Sequence, residues 1–172
     1  MQRFVGSVLI LSATTWSGIL YGREQQMYLD NMLYLRHIIQ MIKSELAYTN
    51  LPLSDIFRRI AVRVRQPFRK WLYSLERQIE KRDEKDFCII WETELDRCLS
   101  QLSLKKQHKT ELRELGDYIG KMDRISEEKN LEMYLDNLEL EIKKMRNEIS
   151  NKKRLGKCIG VMSGLFLVIL LI

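Results

Sequence analysis

Six basic residues stand between Ile56 and Leu75, namely Arg58, Arg59, Arg63, Arg65, Arg69 and Lys70, with no acid among them. A cluster of this kind suits anionic lipid, nucleic acid or an acidic protein face. Nucleic acid is the least favoured of the three, because Phe68 and Trp71 fall at core spacing rather than as exposed stacking platforms. The plain alternative is a solvated face neutralised by Asp83, Glu84 and Asp86 nearby.

Catalytic chemistry finds less support. Cys88 and Cys98 fall on apolar helical positions ten residues apart, where buried small hydrophobes are expected rather than a metal or redox pair. His37 and His108 belong to different charged segments, and pairs such as Glu92/Glu94 and Glu127/Glu128 are ordinary on a solvated helix. No Gly-rich phosphate loop is present, since the glycines between the chain's apolar ends are never closer than four residues. The chain is therefore expected not to be an enzyme, and to need neither metal nor cofactor.

A different signal comes from Leu115-Gly116-x-x-x-Gly120-x-x-Asp123. Each glycine in a helix interior costs roughly 1 kcal/mol relative to alanine, so two in succession call for a reason. Close approach of a neighbouring helix is one. Gly120 acting as a stop before an Asp123 cap is another.

The elements that must hold these residues are helical. With two Pro and eight Gly among 172 residues, a collagen-like, Pro-rich or β-sandwich chain is excluded. Residues 24–48 place Tyr28, Met32, Leu35, Ile39, Ile42 and Leu46 at spacings of 4, 3, 4, 3 and 4, a heptad seam. Such a helix would be roughly 36 Å long. Leu51-Pro52-Leu53-Ser54 breaks it, and Ser54 is expected to cap a short helix carrying Ile56, Phe57, Ile60 and Val64. Pro67 suits the first turn of the next, with Phe68, Trp71, Leu72, Leu75 and Ile79 inward. Lys81–Asp86 reads as a loop, followed by a helix with Phe87, Trp91, Leu95 and Cys98. Ser103 would cap one with Leu112, Leu115, Tyr118, Ile119 and Met122. Asp123 would cap the last, whose seam of Leu131, Leu135, Leu138, Ile142, Met145 and Ile149 repeats the same spacings.

Both ends differ sharply from this middle. Residues 4–20 and 158–172 carry no charged side chain, while 21–157 holds every acid and 28 of the 29 basic residues. About 20 residues cross a bilayer as a helix, so the expected division is transmembrane helices at 4–22 and 155–172 flanking a domain at 23–154. A secretory signal peptide is the competing reading of the first run, but no small-x-small cleavage site precedes the charged region. Lys152, Lys153, Arg154 and Lys157 precede the second run and nothing charged follows it, which puts 23–154 in the cytoplasm. Gly156, Gly160 and Gly164 share one helical face, as do Thr14, Gly18 and Gly22, so each span can pack closely on the other or on a partner's helices. The expected fold is all-α, a six-helix cytoplasmic bundle with long first and last helices between two membrane spans.

Several strings resemble the stage III sporulation protein AB family of endospore-forming bacteria, over the whole length of the chain. They are Gly6-x-Val8-Leu9-Ile10, Ala13-Thr14-Thr15-Trp16-Ser17-Gly18, Glu45-Leu46-x-Tyr48 with Pro52-Leu53, Trp91-Glu92 with Leu95, and Leu115-Gly116-Asp117-Tyr118-Ile119-Gly120-Lys121-Met122-Asp123. Ile119 stands where the family usually has leucine, and Glu127 where it commonly has glutamine. The resemblance implies a multi-pass component of the assembly linking mother cell and forespore, in the mother-cell membrane. It further implies a cytoplasmic domain like that of the type II secretion F protein, and a partner ATPase, stage III sporulation protein AA. On that basis Arg58, Arg59, Arg63, Arg65, Arg69 and Lys70 are the expected docking face, with helical spacing placing Arg58, Arg65 and Arg69 together. A coiled-coil tether without an ATPase is the alternative, and self-association stays open.

Overall fold

The computed structural model describes the backbone of residues 2–49, 51–81, 86–102, 104–119 and 124–171, and the side chains of 23–49, 51–81, 86–102, 104–119 and 128–152. Six α-helices follow one another: α1 Gln2–Tyr48, α2 Leu53–Arg63, α3 Phe68–Glu80, α4 Phe87–Leu99, α5 Lys106–Ile119 and α6 Arg124–Leu171. A single 3-10 turn, Ser100–Leu102, extends α4, and there is no strand among the described residues.

The breaks have local causes. At the end of α1, Glu45 O accepts from both the Thr49 N–H (2.9 Å) and its hydroxyl (2.6 Å), which closes the last turn before Leu51-Pro52 forces extended backbone. Pro52 itself is the N-cap of α2, and its carbonyl receives the N–H groups of Asp55 (3.1 Å) and Ile56 (3.2 Å). Ser54 therefore lies inside the helix and is not the cap expected of it. Val64 turns extended and ends α2, and Pro67 stands one place before α3, accepting from Trp71 N–H at 3.2 Å. Asp86, read only as loop, caps α4 by accepting from Cys88 N–H. Ser103, Gly120 and Asp123 lie outside the described residues, so the expected caps and stop there do too.

The chain divides into two compact units, Met1–Asp30 with Glu141–Ile172, and Asn31–Leu140. In the second unit α2 packs on α3, α3 on α4 and α4 on α5, so neighbours in sequence are neighbours in space. Trp71, Trp91, Phe57 and Phe68 are fully buried there. Trp71 meets Trp91 edge-on with ring centroids 4.8 Å apart, a favoured aromatic geometry. Within the same unit α1 and α6 run antiparallel. Arg36 pairs with Glu139 (2.5 Å) and Lys43 with Glu132 (3.3 Å), a seven-residue advance on one helix matching a seven-residue retreat on the other.

The buried stripes are wider than a two-per-heptad seam. On α1, Leu29 takes the place expected of Tyr28, and Ile38 is buried in addition to Leu35, Ile39 and Ile42. On α6, Tyr134 joins Leu131, Leu135 and Leu138, whereas Leu46 and Ile149 are only half-buried. A second packing partner explains the width on α1: Tyr34 lies 5.3 Å from Phe68 of α3 while Arg36 holds α6. In the other unit, Leu29, Ile142 and Met145 are buried, and the Gln26 amide donates to Asp30 along α1. Among the described residues no helix is long and apolar enough to cross a membrane. The two charge-free runs, with Gly18, Gly22, Gly156, Gly160 and Gly164, fall where side chains are not described, so the expected span packing lies outside the described residues.

Candidate functional site

The basic cluster separates into two kinds of arginine. Arg58 pairs with Asp55 at 2.7 Å and with Glu76 of α3 at 3.9 Å. Arg65 donates its backbone N–H to the Tyr34 hydroxyl (2.8 Å) and lays its guanidinium over the Tyr34 ring, 4.3 Å from the centroid. Arg69 donates Nε–H to the Val64 carbonyl at 2.8 Å, satisfying the frayed end of α2. These three hold α1, α2 and α3 together. They do not share one helical face as expected, because α2 ends at Arg63 and the chain turns before α3 begins at Phe68.

Arg59 and Arg63 behave differently. Both reach toward Glu45 of α1, at 3.7 and 4.0 Å, and both remain more than half exposed at 53% and 64%. Val62 between them is 64% exposed, while Ile60 and Ala61 are buried. The exposed side of α2 thus presents an apolar side chain beside two guanidinium groups that share a single carboxylate. Exposed pairs of this geometry contribute little to stability, so the arginines stay available to a partner. Lys70, on α3, is exposed.

Among the described residues the acids that meet the cluster are Glu45, Asp55 and Glu76. Of the acids expected to do so, Asp86 instead caps α4, while Asp83 and Glu84 lie outside the described residues. Asp55 and Glu76 bracket the basic run by one residue on each side, a signal that a window drawn at Ile56 and Leu75 conceals. Glu45 belongs to the Glu45-Leu46-x-Tyr48 string, so its prominence was readable but its role was not.

Gly116 has a defined task. A Cβ there would sit 2.3 Å from Trp91 Cδ1 and 2.6 Å from Cγ, well inside any van der Waals contact. The indole lies against α5 and donates Nε1–H to the Leu112 carbonyl at 2.8 Å. The expected close approach is real, but what approaches is a tryptophan side chain rather than a helix backbone.

The groups first weighed for chemistry are committed to structure. Burial first, then the Asp117 and Asp86 carboxylates, push the Cys88 thiol up to about 11, which keeps it protonated and unreactive at neutral pH. Burial likewise raises Cys98. Glu94 is 2% exposed. Burial pushes its carboxyl up, but hydrogen bonds from Ser74, Arg97 and Gln78 outweigh that and hold it below the usual range. Asp96 accepts from Lys109 (2.9 Å) and Arg113 (2.6 Å), and Arg113 also reaches Glu92 (3.2 Å), tying α4 to α5. His37 is exposed and His108 buried, on different helices. Among the described residues no group of His, Cys, Asp and Glu converges as a metal site.

Comparison with known proteins gives a consistent picture. The family model described as stage III sporulation protein AB matches residues 3–172. A relative of that name from Bacillus subtilis (strain 168) is 28% identical over 171 residues, covering 99% of each chain. A solved structure of a stage III sporulation protein AB superposes with a TM-score of 0.66 at 26% identity, over 72% of this chain and 97% of that one.

Proposed function

The chain belongs to the stage III sporulation protein AB family, and from that premise we propose that it is a non-enzymatic membrane platform of the sporulation complex linking mother cell and forespore. Its cytoplasmic domain docks an ATPase, by family resemblance stage III sporulation protein AA. The observation that carries the docking reading is the exposed side of α2, where Arg59 and Arg63 stand beside the exposed Val62. An exposed apolar side chain next to arginines suits a protein interface, where arginine is enriched, better than a purely electrostatic lipid-binding patch.

In this reading 4–22 and 155–172 cross the mother-cell membrane and 23–154 lies in the cytoplasm. The charge-free runs and the four basic residues at 152–157 support it. The non-enzymatic part is supported by where the polar groups go: Glu92, Glu94 and Asp96 are spent on ion pairs, and both described thiols are raised.

The test uses the full chain in detergent and the purified ATPase. Charge reversal at Arg59 and Arg63 is expected to weaken ATPase binding strongly at low salt and less at high salt, because exposed charges are screened over about 8 Å at physiological ionic strength. Arg58 and Arg65 are poor choices for reversal, since they hold neighbouring helices. Unchanged ATPase affinity together with lost binding to anionic vesicles would assign the face to lipid instead.

A further inference from the structure

Between α5 and α6, inside the Asn31–Leu140 unit, lies a cavity of about 130 Å³ lined by Glu111, Glu114, Leu115, Tyr118, Met133 and Tyr134, together with the two asparagines Asn130 and Asn137. Small-molecule sites usually enclose about 300 Å³ or more, so this one suits a single side chain rather than a metabolite. Its rim exposes apolar surface, with Met133 56% and Tyr118 38% accessible. Glu111 is held by Gln107 at 2.9 Å, whereas the exposed Glu114 carboxylate has no hydrogen bond or ion pair among the described residues. Carboxylates beside tyrosine rings, with Leu115 buried beneath and Met133 at the rim, match a long side chain with an aliphatic stem and a cationic head.

The chain itself carries such groups on another helix. Lys70 and Arg77 stand seven residues apart on the exposed side of α3, and neither has a hydrogen bond or ion pair among the described residues. The charge segregation reaches beyond these two. Residues 56–81 hold eight basic and two acidic side chains, whereas 111–140 hold four basic and nine acidic. One segment is therefore +6 and the other −5 on a chain of net +6.

We propose that the α5–α6 cavity is a docking site for a second copy of this chain, which inserts Lys70 or Arg77 of its α3 against Glu114. The two surfaces differ, so the contact is head-to-tail and either closes into a ring or leaves one of each kind free at the ends of an open assembly. An anionic lipid is repelled by the carboxylates. Arg59 and Arg63, which carry the ATPase reading, take no part, and Glu114→Lys leaves the whole basic cluster including Lys70 intact, so that variant separates failure here from failure of ATPase docking.

Sedimentation of the full chain in detergent micelles, across a protein-concentration and salt series, tests the proposal. The wild type is expected to self-associate, more tightly at low salt. Glu114→Lys, and separately Lys70→Glu with Arg77→Glu, should each raise the dissociation constant by about tenfold or more. All three positions are exposed, and unchanged circular dichroism checks that the variants remain folded. The decisive measurement is an equimolar mixture. Each variant offers the other a matching pair of surfaces, so association should return toward the wild-type value. A monomeric wild type, variants that associate normally, or a mixture that stays dissociated would each overturn the proposal. So would a monomeric wild type whose Glu114→Lys form loses binding to a different basic protein, since the cavity would then serve that partner.

Discussion

A methyl group on Gly116 would press into the Trp91 ring at Cδ1, 2.3 Å away, and the same indole donates to Leu112 O one turn earlier on α5. In an α-helix the Leu112 carbonyl also accepts from the Gly116 N–H, so the ring lies along the groove that this hydrogen bond spans. The glycine is there for space, and its cost in helix propensity is offset by the burial of a full tryptophan. Gly116→Ala is expected to destabilise the protein by about 1–3 kcal/mol through overpacking. Trp91→Phe, which is smaller and lacks the N–H, should also destabilise. In combination the losses should fall short of additive, because phenylalanine leaves room for the added methyl. Urea unfolding of the two single variants and the double variant measures this, and strict additivity would separate the two residues energetically.

Helix α4 is fastened to both neighbours by polar contacts at its centre. Glu94 takes hydrogen bonds from Gln78 of α3 (3.3 Å) and from Arg97 (2.7 and 2.9 Å), with Arg97 also contacting Ser74 of α3. Because these bonds hold the Glu94 carboxyl below its ordinary 4.5, the folded protein binds that proton less readily than the unfolded chain. The stabilisation is therefore complete above about 4.5 and is lost as pH falls through the lower, folded value. Glu94→Gln should cost roughly 1–3 kcal/mol at neutral pH, since the amide cannot serve all the donors now aimed at it. The gap between wild type and variant should narrow progressively below pH 4.5, read as the difference in unfolding midpoints along a pH series. A gap independent of pH would mean that packing, not the carboxylate charge, sets the loss.

For the molecule as a whole, the strongest expectation concerns its placement about a membrane. Lys152, Lys153, Arg154 and Lys157 precede the apolar run at 158–172, which itself carries no charged side chain. Basic residues are retained on the cytoplasmic side, so a reporter fused after Ile172 should be active only outside the cytoplasm. One inserted after Lys81, in the α3–α4 connection, should be active only inside. Cytoplasmic activity at the C-terminus would overturn the two-span arrangement.

Much of this architecture is local information, which is why it is legible in the chain. The spacings of 3, 4, 3 from Met32 to Ile42 and of 4, 3, 4 from Leu131 to Ile142 specify long helices, and Pro52 and Pro67 mark where the chain must turn. Propensity, periodicity and backbone restriction act within a few residues, so they need no knowledge of what lies across the core. The family strings were equally visible, and the family match bears them out. What the tertiary structure alone decided is who meets whom. Arg59 and Arg63 find Glu45 of α1, Arg65 finds the Tyr34 ring, Gly116 admits Trp91, and Ile38 is buried because α1 faces more than one neighbour. Those pairings depend on how helices distant in sequence are brought together, and no short-range pattern in the chain carries the relative position of two helices.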